Sequence, residues 1–142
     1  MANEIATVNA TTGEIEEVEG RPVSQLVNTL NPKTFEERKA VFNAVNNAQS
    51  LDDMKDKPIK IVGVAQVHSV RVDRNTGEEV PCIGTTLVGA DGTGYYSQSA
   101  GIARSAYNLV AAFGANWPEP LTVHVKVTTL ASKNTLKTLV LD

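Results

Sequence analysis

The chain has one cysteine, two histidines, three phenylalanines, three tyrosines and one tryptophan in 142 residues. A single thiol, Cys82, excludes a disulfide framework and a cysteine-based zinc site. His68 and His124 each fall in a strand-like segment without a carboxylate at metal-ligand spacing, so both read as strand-face side chains. No apolar run approaches the ~20 residues that cross a bilayer, and no membrane partner is expected. The N-terminus lacks a basic region followed by an apolar one, which argues against a secretory signal and for a cytoplasmic protein. Basic charge is also short: 13 Lys and Arg face 16 Asp and Glu, for a net −3. Taken alone, that figure argues against a nucleic-acid binder, because Lys and Arg supply most of the affinity for phosphates.

The acidic balance is local. Residues 1–20 carry Glu4, Glu14, Glu16, Glu17 and Glu19 and no base, so this segment alone is −5. Residues 21–142 hold all 13 bases against the remaining 11 acids and come to +2. The length suits one domain with a real core, and the 42% hydrophobic content suits a globular one. Residues 1–33 read as an acidic arm and residues 34–142 as the folded domain. Within the arm, residues 4–8 and 14–18 alternate weakly and could pair as a hairpin, provided they pack against something. Either the arm is a disordered leader, or it docks on a neighbouring subunit or competes with an anionic ligand.

The domain begins with a helix. Thr34 is an N-cap candidate and Glu37 completes a capping box. Phe35, Val41, Phe42, Val45 and Ala48 follow at helical spacing as an apolar stripe, read as scaffold. A short turn from Ser50 ends at Pro58. The period then changes to that of strands. Residues 59–72 form a long β segment closed by the turn Asp73-Arg74-Asn75-Thr76-Gly77. Residues 79–90 form the next, with Gly84 and Gly89 marking bulges or bends. Asp91-Gly92-Thr93-Gly94 is a hairpin turn, and residues 95–98 a short third strand. Ser99 caps a helix over residues 100–113 that ends at Gly114. Residues 121–130 alternate cleanly, 131–134 turn, and 135–141 make the last strand. The fold class expected is therefore mainly β with helices: a five-stranded OB-fold barrel in the order β-β-β-α-β-β, preceded by a helix and an extended N-terminal arm.

Catalytic chemistry is poorly represented. The glycine-rich stretch at 89–94 lacks the Gly-Lys-Ser/Thr ending of a phosphate loop and leads into a strand, so it is a turn. The acid pairs Asp52-Asp53 and Glu78-Glu79 lie in polar caps and loops, and Cys82 reads as a buried structural thiol. Nothing assembles a nucleophile with a base. The expectation is a protein that is not an enzyme and needs no cofactor or metal.

Binding chemistry is better represented. An OB-fold holds single strands across its second and third strands, between the 1–2 and 4–5 loops. Arg71 and Arg74 fall at the first loop, and Lys126, Lys133 and Lys137 in or beside the last two strands. Tyr95 and Tyr96 share the third strand, where alternation lets only one of them face a ligand, with Tyr96 favoured. Trp117 could stack at the rim, but a core position is favoured. With a body of +2 and few aromatics, one protomer should grip weakly, so that useful affinity would come from several side by side.

The residues from Val41-Phe42-Asn43-Ala44 and Ser50-Leu51-Asp52-Asp53 through Thr85-Thr86-Leu87 and Asp91-Gly92 to Tyr95-Tyr96 form a soft set. Ser99-Ala100-Gly101-Ile102-Ala103-Arg104 and Asn134-Thr135-Leu136-Lys137-Thr138-Leu139 extend it. As a set, over residues 35–142, the chain resembles the small single-stranded DNA-binding proteins of phages and conjugative plasmids of Gram-positive bacteria. The resemblance implies an OB-fold, no catalysis, no cofactor, and protection of exposed single strands in replication or conjugative transfer. Its partner would be single-stranded DNA, with duplex DNA or RNA left open, and self-association through residues 1–33 would supply cooperativity. The acidic segment is N-terminal here, whereas better-known bacterial single-strand binders carry a C-terminal acidic tail. A rival reading is a non-enzymatic interaction or structural module of a phage or transfer complex, and a second is a small enzyme of unknown chemistry.

Overall fold

A computed structural model describes residues 8–9, 14–15, 24–133 and 135–142. Three two-residue strands open it: β1 (Val8–Asn9), β2 (Glu14–Ile15) and β3 (Ser24–Gln25), paired antiparallel in the order β1-β2-β3. Val8 lies opposite Ile15, as a hairpin between these segments requires. The rest of the expected hairpin and most of the arm lie outside the described residues.

Helix α1 (Phe35–Asn46) starts at Thr34, whose hydroxyl accepts the Glu37 N–H at 3.0 Å. The Glu37 carboxylate accepts the N–H groups of Lys33 and Thr34 in return, and these bonds hold its pKa below the ordinary carboxylate value. Strand β4 (Gln49–Ser50) and a 3-10 turn (Leu51–Met54) follow. Then come β5 (Ile59–Val72), β6 (Glu79–Gly89), β7 (Gly94–Ser97), α2 (Ala100–Phe113), β8 (Leu121–Thr129) and β9 (Thr135–Leu141). Val- and Ile-rich β5 pairs with β6 along almost its whole length and with β8 only over residues 59–61.

The sheet has six strands in the order β4-β7-β6-β5-β8-β9, curled into a half-barrel. The five expected strands and the helix between the third and fourth are all present, an arrangement compatible with an OB-like fold. Two features differ from a closed five-stranded barrel. The sixth strand, β4, pairs in parallel with β7 (Gln49 opposite Tyr95, Ser50 opposite Tyr96) and occupies the edge that closure onto β9 would use. The gap is spanned instead by side chains: Lys137 on β9 donates to Asp52, just after β4, at 2.7 Å.

Inside the curl, Ile61, Val64, Leu87, Ile102, Val123 and Val125 are fully buried between sheet and α2. The segment before α1, grouped with the arm by composition, adds to this core. Val27 is 8% exposed, and residues 27–29 run along the β5 edge that β8 leaves uncovered, with Thr29 N–H donating to Val64 C=O and Gln66 N–H to Val27 C=O. The buried Gln66 side chain ties four pieces together. Its oxygen accepts the Val27 N–H, and its amide donates to Thr85 Oγ1 at 3.1 Å and to the Ala103 carbonyl at 2.9 Å. Every polar atom of that side chain is thus satisfied, as burial demands.

The glycines expected at bends play different parts. A one-residue register shift does lie beside Gly89, between the pairs formed by Ile61 and Gly63. Gly84, however, stays in register opposite Val67 and serves close approach: a Cβ there would meet the Tyr96 ring at 2.8–2.9 Å. The apolar stripe of α1 also departs from expectation. Ala44 is the buried residue of this helix, whereas Phe35, Phe42 and Val45 are exposed, because α1 seats its small-residue side on β7 at Gly94.

Candidate nucleic-acid interface

A groove of about 1240 Å³ lies at the outer ends of β5, β6 and β7, beside the start of α2. Residues 48–50 and Asp52 wall one side, and residues 70–75, the end of β5 and its turn, wall the other. Residues 81–83 and Tyr96 lie between them, and Lys137 enters from β9. The long β5–β6 hairpin makes this shape, since both strands continue beyond the barrel and carry their turn out as a rim.

The tyrosine pair divides as alternation requires. Tyr95 is 6% exposed and belongs to the core cluster, so of the two candidates Tyr96 is the one that faces the groove. Tyr96 is half-buried in the groove, with its ring across Gly84. Its hydroxyl donates to Ser69 Oγ at 3.2 Å, and Gln98 Nε2 donates to the same oxygen at 2.9 Å and to the Val70 carbonyl at 3.2 Å. Ser69 thus anchors the ring through its hydroxyl, and Gln98 holds Ser69 in turn. Neither was legible beforehand, because a serine and a glutamine 29 residues apart carry no local signal.

Charge in the groove is set by which carboxylates are already engaged. Asp73 accepts the N–H groups of Asn75 at 2.7 Å and Thr76 at 3.2 Å, holding the β5–β6 turn. Asp52 pairs with Lys137. Arg71 and Arg74 form no salt bridge among the described residues. The groove therefore presents two guanidinium groups, one engaged ammonium and one aromatic face, a combination suited to tracking a polyanion and stacking a base.

Of the seven residues expected at the interface, Arg71, Arg74, Tyr96 and Lys137 converge on this groove. Lys126 is exposed on β8, opposite Thr138 of β9, and Lys133 sits in the β8–β9 turn with φ +69°; neither lines the groove. Trp117 packs against the core, its Nε1 donating to the Gly114 carbonyl at 2.8 Å. Cys82 is half-buried and lines the groove, so the buried structural thiol expected from sequence is corrected to a partly exposed one. His124 is engaged by the Asp142 carboxylate, and His68 is exposed. Among the described residues there is no cluster of three or more metal-ligating side chains, and no helix is long and apolar enough to cross a membrane.

No curated protein and no solved structure matches the chain. A family model does, over residues 22–142: that of the phage single-stranded DNA-binding protein, of the phi29 type. The matched region starts just before the segment that places Val27 in the core, and it contains the groove and both helices. The chain belongs to the phage single-stranded DNA-binding protein family.

Proposed function

We propose that this protein is a non-enzymatic, sequence-independent single-stranded DNA-binding protein of a mobile element, acting in the cytoplasm with no cofactor. Its half-barrel is an OB-fold in which β4 substitutes for closure of the third strand on the fifth. The observation that carries the reading is the convergence of Arg71, Arg74, Tyr96 and Lys137 on one groove in a member of this family. Tyr96 stacks on a base, the two arginines and Lys137 hold phosphates, and Lys126 and Lys133 extend the basic track along β8 and its turn. Nothing in such a groove reads base edges, so binding is independent of sequence. Coating and protection of exposed strands in replication or conjugative transfer follow from side-by-side binding, with the part of the 1–33 arm that precedes the core-packed Val27 linking neighbours.

Fluorescence anisotropy with labelled oligothymidylate across a salt series tests this. Binding at low salt should weaken with a log–log slope of about 0.7 per phosphate contact, and Arg74→Ala should lower that slope by about one such step. No binding at low salt would overturn the reading and favour a protein-interaction module. Deleting residues 1–20 should reduce cooperativity on long strands. Unchanged cooperativity and unchanged assembly size would sink the role of the arm.

Asp52 offers a check in the opposite direction. Its carboxylate competes with phosphate for Lys137, and exposed pairs of this kind are weak. Asp52→Asn should therefore tighten oligonucleotide binding, by up to about fivefold at low salt. Weaker binding would mean that the pair holds the groove in shape and does not compete for the ligand.

A further inference from the structure

Helix α1 presents its large apolar side chains to solvent. Ala44 is buried against β7, while Phe35 and Phe42 are 69% and 63% exposed. With 3.6 residues per turn, the face opposite Ala44 gathers Phe35, Arg38, Lys39, Phe42 and Asn46. Both nearby acids lie off that face. Glu37 is bonded back into the capping box, and Glu36 reaches Lys39 from the edge at 3.4 Å. Lys39 Nζ lies over the Phe35 ring, 4.7 Å from its centroid. Phe35, Arg38, Lys39, Phe42 and Asn43 together line a shallow recess of about 380 Å³.

We propose that this face of α1 is a second contact for single-stranded nucleic acid, in which Phe35 and Phe42 stack on bases and Arg38 and Lys39 hold the adjoining phosphates. The proposal rests on the single-strand-binding reading above and extends it beyond the groove. Three observations support it. Solvent-exposed aromatic rings interleaved with cations are the chemistry of a stacking platform. The face carries two cations and no carboxylate, which complements a polyanion. It is also joined to the groove along the chain, because α1 runs directly into residues 48–50, which form a groove wall. The two rings lie two helical turns apart, about 10 Å along the axis, so they serve different nucleotides of one strand.

The experiment uses the full chain and an oligothymidylate longer than the ~4–16 nucleotides that one such groove covers. The double variant Phe35→Ala with Phe42→Ala should bind it at least about tenfold more weakly. Its thermal midpoint should be unchanged, since both rings are already exposed. Phe42→Tyr keeps an aromatic face and should bind as the wild type does. Arg38→Ala with Lys39→Ala should lower the salt slope by about 1.4. If the wild type fails to bind, the single-strand reading itself is lost and the α1 contact with it. If the wild type binds and the double phenylalanine variant stays within about twofold of it, only the α1 contact is overturned. Sedimentation without DNA supplies the last arm: an assembly mass that falls in the phenylalanine variant, with oligonucleotide affinity retained, would make this face a protein interface and also overturn the proposal.

Discussion

Gly94→Ala is expected to destabilise the protein by about 3 kcal/mol, the upper range for forcing atoms into a packed site. Gly94 pairs with Val88 in the sheet, and a Cβ on it would fall on the carbonyl oxygen and carbon of Ala44 in α1. The obstacle is backbone within a regular helix, which cannot swing aside as a side chain would. Relief requires α1 to lift from β7, exposing Ala44 and the strand beneath. Gly63 provides the contrast: a Cβ there meets the end of the Leu30 side chain at 2.6 Å, which can rotate away. Gly63→Ala should accordingly cost about 1 kcal/mol. Urea unfolding of the two variants, with equal slopes, separates them. A Gly94→Ala midpoint equal to that of Gly63→Ala would mean that the seat of α1 on β7 contributes little to stability.

The second large effect concerns binding. Tyr96→Ala is expected to weaken single-strand affinity by about 1–3 kcal/mol, or roughly 5- to 150-fold, the contribution of one stacked base. Tyr96→Phe keeps the ring and loses only the hydrogen bond to Ser69, so it should retain most of the affinity. Gly84→Ala reaches the same ring from beneath, because the added methyl displaces it from the sheet. Tyr95→Ala should behave in the opposite way. That ring lies in the core, so its removal should lower stability by about 3–5 kcal/mol while the groove keeps its own side chains. Anisotropy and thermal unfolding on the same four proteins distinguish the two tyrosines. Equal binding by Tyr96→Ala and wild type would remove Tyr96 from the interface.

Much of the fold was legible because it is local. The ends of β5, α2 and β9 fall where alternation, the Ser99 cap and Gly114 put them, and Thr34 caps α1 through a box written in four consecutive residues. The groove was legible in part for the same reason: strand alternation assigns opposite faces to Tyr95 and Tyr96, and turn composition puts Arg71 and Arg74 at a rim. The remainder depends on contacts between distant segments. The stripe of phenylalanines and valines on α1 looks like a core face, yet Gly94 admits only the small-residue side, and nothing near Phe35 records that. Likewise, Val27 sits in a polar stretch that looks like tail, and its burial depends on the edge of β5 that β8 abandons after Ile61. Two-residue β4 has no periodicity to detect, yet it takes the sheet edge beside β7.

The walls of the groove come from residues 48–50, 52, 70–75, 81–83, 96–100 and 137, so it has no local precursor. A chain emerging from the ribosome has both arginines and Tyr96 before it has Lys137, whose carbonyl lies so close to α2 that a Cβ on Gly101 would collide with it. Synthesis proceeds from the N-terminus, and pairings between distant segments wait for their later partner. The groove therefore takes its full shape only once β9 has joined the sheet, after all its other walls have been synthesised.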